Sequence, residues 1–432
     1  MFKKIVIWKL KFFSKAILAK YKPKIIGITG SVGKTSAREA AFAVVESHFN
    51  GRTSIKNYNN EFGLPLSIIG SISPGKNLFG WLAVFFKALG LLIFRDKNYP
   101  EVLVLEMGVD KVGDMDFLNS IVSCDAGLVT TIGASHLEQF GSVEQIQKEK
   151  AKMISNLNKG AWAIFNYDDE RARSMAKNSK SRVMTYGFSE GADLQASNLV
   201  YKFEETKKIS SLAGVSFKLE HNGAVVPVVL PNVIGTAAVY AALAGAAVGL
   251  ALDMNLVEIA NALAKFDSPH GRMKLIDGIK NTLIIDDTYN ASPQSALMAI
   301  EFVGRIQTSE PFRKVAIFGD MLELGNLSEE GHKEVGRSLA KAGFDLLVSS
   351  GERSRDIGRG AVEAGLAEEK VFNFKNAEEA GKFAQNRIKK GDLILIKGSQ
   401  GARMEKVVKE LMADPLYAAG LLVRQGKEWE NN

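Results

Sequence analysis

Residues Lys24–Ser36 read KIIGITGSVGKTS: an apolar run, a glycine-rich turn, then lysine, threonine and serine. The run predicts a buried strand over Lys24–Thr29, and the residues after the turn predict a helix over Lys34–His48. Glycines in such a turn let backbone N–H groups face phosphate oxygens, and the helix N-terminus adds positive partial charge. Gly30, Ser31, Gly33, Lys34, Thr35 and Ser36 are therefore candidates for holding a nucleotide's phosphates, Lys34 at the β- and γ-phosphates and Thr35 on Mg2+. The full P-loop spacing asks for glycine at position 28, where this chain has Ile28, so the loop is a shortened variant.

Outward from this unit the same alternation repeats. Glu101–Glu106, Gly127–Thr131 and Trp162–Phe165 are short apolar runs ending in turn residues, as buried parallel strands should be. The expectation is an α/β fold with a doubly wound P-loop domain and ligands at the strand C-termini. From about Val183 to Val229 alternating segments such as VSFKLEH predict a small antiparallel section, followed by an alanine-rich helix at Thr236–Leu250. The Pro- and Gly-containing segment Asp267–Arg272 marks a boundary. Beyond it, Leu283–Asp286, Val315–Phe318, Leu346–Ser349, Val371–Phe374 and Leu393–Ile396 predict a second, Rossmann-like α/β domain. The expected organisation is thus 1–24, a basic N-terminal helix; 25–267, a nucleotide-binding domain; and 268–432.

The 432 residues suffice for two or three domains. A single cysteine, Cys124, excludes an internal disulfide framework and fits a reducing compartment. The net charge of +7 is local, because residues 3–24 hold eight lysines and no acid. The rest is close to neutral, which argues against a nucleic-acid-coating protein. In the first helix Lys4, Lys11, Lys15 and Lys22 form one stripe, with Val6, Leu10, Phe13 and Ile17 opposite. Such a helix either lies in a membrane interface or packs on the protein's own body. It does not read as a signal peptide, since lysines interrupt its apolar part. Leu78–Phe94 is at the lower limit for a membrane span and contains Lys87, so it reads as a buried or membrane-touching helix.

Three polar features follow the strands of the first domain. Glu106 ends a strand and is a candidate magnesium ligand. His136, in ASHLEQFGS, lies after the third strand on the same side. Lys150 belongs to a lysine-rich helix whose spacing alone reads as a solvated face. In the second domain the loops DDTYNASP (286–293), GDMLELG (319–325) and KGSQGARM (397–404) all follow strands. They suggest a binding face turned toward the nucleotide-binding domain.

Taken together, ITGSVGKTS, NYNNEFGLP (Asn57–Pro65), LEMG, ASHLEQFGS, DDTYNASP, GDMLELG and KGSQGARM resemble the Mur ligase family over about residues 25–410. NNEFGLP and HLEQFGS separate the chain from the family's folate-polyglutamate and cyanophycin relatives. The resemblance implies an ATP- and Mg2+-dependent amide ligase of peptidoglycan synthesis. It would add D-alanyl-D-alanine to a muramoyl-tripeptide acceptor through an acyl phosphate, in the cytoplasm; the basic helix of residues 1–22 adds the expectation of peripheral contact at the inner membrane face. It further implies catalytic roles for Lys34, His136 and Lys150, with Thr35, Glu106, His136 and a carbamylated Lys150 at the metal ions. Asn60, Arg272, Asp287 and Tyr289 would touch the nucleotide, and Asn59, Lys397 and Arg403 the substrates.

The chain departs from the family pattern in places. Thr131 stands for an asparagine, and the polar residues of the helix at Gly235–Leu243 are alanines. About twenty-five residues precede the first strand, fewer than the uridine-nucleotide-binding domain of full-length relatives needs. The expectation is a different or lipid-linked acceptor, or a partner that supplies that domain. A related ligase with another acceptor or amino donor, and a non-catalytic nucleotide-binding protein, stand as alternatives.

Overall fold

The computed structural model describes residues 2–54, 58–135, 137–203, 212–231, 233–307, 311–426 and 429. Two compact units are present. One comprises Met1–Asn198, Phe217–Val228 and Val239–Phe266, the other Leu199–Ser216, Val229–Ala238 and Asp267–Asn432.

The first sheet contains β1 (Lys24–Thr29), β2 (Gly51–Thr53), β3 (Val102–Glu106), β4 (Ala126–Val129), β5 (Trp162–Asn166), β6 (Arg182–Gly187), β7 (Leu194–Phe203), β8 (Leu212–His221) and β9 (Ala224–Pro231). Their order is β2-β3-β1-β4-β5-β6-β7-β8-β9. β1 pairs in parallel with β3 on one side and β4 on the other. The strand order therefore reverses at β1, and the glycine turn lies at the switch point where open α/β sheets bind ligands.

Helix α1 (Phe2–Tyr21) buries Val6, Leu10 and Ile17 in the unit's own core. Packing on the body is thus the fate of its apolar stripe. α2 (Lys34–Glu46) buries Ala37, Ala40, Ala41 and Val44. The alanine-rich helix Thr236–Ala251 lies against α2 so closely that a Cβ on Gly245 would come within 2.9 Å of the Ala40 carbonyl oxygen. Small residues along that helix permit the approach. α3 (Gly63–Ile69) and α4 (Leu78–Ile93) complete the α1 side. Lys20 Nζ donates to the Leu91, Leu92 and Phe94 carbonyls at 2.9, 2.9 and 2.8 Å, satisfying acceptors that the end of α4 leaves open. Among the described residues no helix is long and apolar enough to cross a membrane.

The second sheet holds β10 (Lys274–Gly278), β11 (Thr282–Asp287), β12 (Lys314–Gly319), β13 (Leu346–Ser350), β14 (Val371–Phe374) and β15 (Leu393–Lys397), in the order β10-β11-β15-β12-β13-β14. Only β10, absent from the sequence reading, pairs antiparallel. Successive residues point to opposite faces. Leu283, Ile285, Leu393 and Leu395 enter one apolar cluster, and Ile284, Ile394 and Ile396 the other. Burial on both faces explains why these strands read as continuous apolar runs.

Gly30 has φ +145°, and a Cβ there would sit 1.9 Å from Thr130 Oγ1. Gly30→Ala is expected to cost about 2–4 kcal/mol, read as a lower denaturation midpoint at unchanged slope.

Candidate active site

The turn after β1 is clamped by the segment after β4. Ser31 N donates to Thr131 O at 2.7 Å, and Thr130 Oγ1 donates to Val32 O at 2.6 Å. Val32 N donates to Thr131 Oγ1 at 3.1 Å, so Thr131 holds the loop directly. Lys34 Nζ folds back on the Gly30 and Ser31 carbonyls at 2.7 and 3.2 Å. Ser36 is half-buried one residue beyond Thr35 on α2.

Lys150 comes from the helix Val143–Ser155 and is buried, its Nζ donating to the same Gly30 carbonyl at 3.0 Å. Burial first, then the charge of Lys34, pulls its ammonium far below its ordinary value. The solvated-face reading of Lys150 is corrected here: the helix turns this lysine inward beneath the loop, while Lys148 stays outside.

Glu106, at the end of β3, is buried. Thr35 Oγ1 donates to its Oε2 at 3.1 Å, and Asn59 Nδ2 donates to its Oε1 at 3.0 Å. Arg38, one turn along α2 from Lys34, reaches the same carboxylate at 3.5 Å. The sequence reading missed Arg38, although its i+4 spacing from Lys34 was available as a signal. Asn60 Oδ1 instead accepts from Phe62 N and Gly63 N at 3.2 and 3.0 Å, a local turn that starts α3. His136 and Asn57 lie outside the described residues. Beside Gly108 a cavity of about 520 Å3 is lined by Ile7, Asn60, Asp110 and Phe117, among others.

In the second unit the three polar loops converge. Ser399 Oγ donates to Ala291 O at 3.2 Å and accepts from Leu322 N at 2.9 Å. Strand register places Asp287 opposite Lys397, and their charges meet at 2.5 Å. Lys397 Nζ also donates to Asn290 O at 3.0 Å and is buried, with desolvation drawing its ammonium down and Asp287 opposing. Lys397 thus ties the end of β15 to the loop after β11. Arg272 stacks on the Tyr289 ring at 4.1 Å. Arg403 Nε donates to Glu405 at 2.6 Å, and its guanidinium lies 5.3 Å from the Trp429 ring. The neighbouring Asp286 is fully buried, and burial pushes its carboxyl up to about 6.

A glycine turn at a sheet's switch point, backed by a buried carboxylate and a buried lysine, defines a P-loop nucleotide enzyme with a second Rossmann-like unit. Residues 88–249 match the Mur ligase middle domain, and residues 271–400 match the glutamate ligase domain of the same family. The chain belongs to the Mur ligase family. It is 29% identical over 409 residues to the UDP-N-acetylmuramoyl-tripeptide–D-alanyl-D-alanine ligase of Bacillus subtilis, spanning 94% of this chain and 80% of that one. The Escherichia coli ligase of the same name is 29% identical over 391 residues, covering 90% and 76%. The crystal structure of a MurF ligase from Thermotoga maritima in complex with ADP superposes with a TM-score of 0.76 at 26% identity, covering 94% and 83%.

Lys397→Ala leaves Asp287 charged and buried without its partner. It should destabilise the protein by about 3–5 kcal/mol. The double variant Asp287→Asn/Lys397→Met should lose clearly less in the same chemical denaturation series.

Proposed function

We propose that this chain is an ATP-dependent amide ligase that joins D-alanyl-D-alanine to a muramoyl-tripeptide acceptor in peptidoglycan synthesis. The observation that carries the reading is Glu106, buried at the P-loop with Thr35 on one oxygen and Asn59 on the other. The names of the relatives supply the substrates.

The chemistry needs an activated carboxylate. An acceptor carboxylate oxygen attacks the γ-phosphorus of ATP, the bond to the bridging oxygen breaks, and ADP leaves. The amine of D-alanyl-D-alanine then attacks the acyl carbon; the C–N bond forms, phosphate departs and the amine gives up a proton. Lys34 follows the transferring phosphoryl group, exchanging its contacts with the Gly30 and Ser31 carbonyls for phosphate oxygens.

Magnesium, when bound, offsets phosphate charge during transfer. The hard oxygen donors of Thr35 and Glu106, within hydrogen-bond reach of each other, fit that ion. His136 and Lys150 are assigned to a second ion by family analogy. Lys150 is suited to modification, because burial and Lys34 favour its neutral amine. That amine attacks CO2, a C–N bond forms and one proton is released, leaving a carbamate with oxygen donors. Asn60, Arg272, Asp287 and Tyr289 are assigned to the nucleotide, and Asn59, Lys397 and Arg403 to the substrates, with Asp287 and Lys397 also tying the loop after β11. The phosphate chemistry is assigned to the domain 25–267, with 268–432 as the second domain. Peripheral contact of residues 1–22 with the inner membrane's cytoplasmic face belongs to the same reading, supported by the helix's acid-free lysines.

Incubation with Mg-ATP, UDP-muramoyl-tripeptide and D-alanyl-D-alanine should yield the pentapeptide product by mass spectrometry. Lys34→Ala should reduce the rate by roughly a hundredfold or more. ATP turnover that yields product only with a different amine would move the chain to a related ligase. With 13C-bicarbonate, the wild type should give a carbamate carbon signal in the NMR spectrum that Lys150→Arg lacks; a signal of equal strength in the variant counts against carbamylation there.

A further inference from the structure

α4 is apolar on two faces, and only one of them is covered. Trp81, Val84, Ala88 and Leu91 are buried in the unit's core. Phe79, Leu82, Phe86, Leu89 and Ile93 recur at spacings of three and four and form an exposed stripe, with Phe79 83% and Phe86 70% accessible. α1 adds Ile5, Trp8 and Phe12, also exposed. The two helices are joined by aromatic contacts: Phe12 to Phe13 at 5.7 Å between centroids, then Phe13 to Phe85 of α4 at 5.9 Å.

The charge around these apolar side chains is predominantly positive, with Asp96 as an exposed acid beside the end of α4 and Glu61 paired to Lys3. Lys4, Lys9 and Lys15 are exposed on α1, Lys87 is exposed within α4, and Lys76, Arg95 and Lys97 are exposed beside its ends. Neither helix contains an acidic residue. Large apolar and aromatic side chains interleaved with lysines match a bilayer interface with anionic headgroups. α4 is 16 residues long, about 24 Å, against a hydrocarbon core of about 30 Å. It is suited to lying in the interface rather than crossing it. A second copy of this chain is a poorer occupant, because pairing the two faces would bring lysine against lysine.

We propose that α1 and α4 together form a docking face for an anionic membrane surface, with the α4 stripe as its larger apolar part. The proposal builds on the membrane contact assigned to residues 1–22 and changes its chemistry. The Val6, Leu10 and Ile17 side of α1 is committed to the protein's own core, so the apolar contact comes from the opposite side of α1 and from α4.

The test is flotation of the full chain with vesicles of phosphatidylcholine containing phosphatidylglycerol, and with phosphatidylcholine alone, at low and high salt. The wild type is expected to float with the anionic vesicles only, with a blue shift in fluorescence that Trp8→Phe diminishes. Phe79→Gln/Phe86→Gln/Ile93→Gln should cut binding roughly tenfold or more at an unchanged melting temperature, and Phe79→Gln alone should give a smaller loss. Lys4→Ala/Lys15→Ala should weaken binding and flatten its salt dependence. A wild type that stays unbound overturns the proposal, as does equal binding to neutral vesicles. A triple variant that floats like the wild type removes α4 and leaves only residues 1–22. A lysine variant that floats like the wild type removes the anionic recognition. Concentration-dependent dimerisation that the triple variant abolishes, without vesicle binding, assigns the face to a second copy and overturns the membrane.

Discussion

Two lysines share one backbone carbonyl. Lys34 reaches the Gly30 oxygen at 2.7 Å from within the loop, and Lys150 reaches it at 3.0 Å from the helix behind. Two ammonium charges this close, one fully buried, oppose each other, and burial favours the neutral form of Lys150. The loop is therefore held from both sides, by Lys34 from within and by Lys150 from behind. The rest of the first unit serves this arrangement. β1 places the turn at the switch point, the segment 130–133 clamps it, and β3 ends on Glu106 next to Thr35.

The second unit follows a comparable rule with opposite charges. The parallel register of β11 and β15 sets Asp287 against Lys397 at the strand ends, where their loops leave the sheet. A buried pair of this kind costs desolvation on both sides, so it contributes more to the placement of the loops than to net stability. Ser399, tied to Ala291 and Leu322, does the same with neutral hydrogen bonds. Arg272 and Tyr289, stacked on each other at the start of this unit, keep a guanidinium and an aromatic ring at the same edge.

Much of this was legible in the chain. The apolar runs before each polar loop gave β1, β3, β4 and β5 and the five parallel strands of the second sheet to within a residue or two, since strands buried on both faces carry uninterrupted hydrophobic residues. The segment from Val183 was read as the start of an antiparallel section, but β6 pairs in parallel with both β5 and β7. The edge strands β2 and β10 were missed. β2 is three half-buried residues, and β10 is only partly buried, so neither carries an apolar run. In the site, Thr35 and Glu106 were anticipated together, but the spacing of the lysines in residues 148–152 pointed outward, and only the tertiary contact turns Lys150 in. Asn60 and Lys397, expected at the ligands, are also engaged by a local turn before α3 and by cross-strand pairing. A polar residue near a site can serve its scaffold as well as its chemistry, and composition does not distinguish the two.

The sequence alone determined the strand–glycine turn–helix of Lys24–Glu46, the two α/β units and the order of polar loops, because these depend on local periodicity and on glycine's backbone freedom. The tertiary structure alone decided what the apolar stripe of α1 packs against and which face α4 buries. α1 turns Val6, Leu10 and Ile17 into the core and leaves Trp8 and Phe12 outside, and α4, apolar apart from Lys87, buries Trp81 and exposes Phe86. A helix with apolar residues on two faces gives little periodic signal of which face its neighbours will cover, and that choice is made by packing.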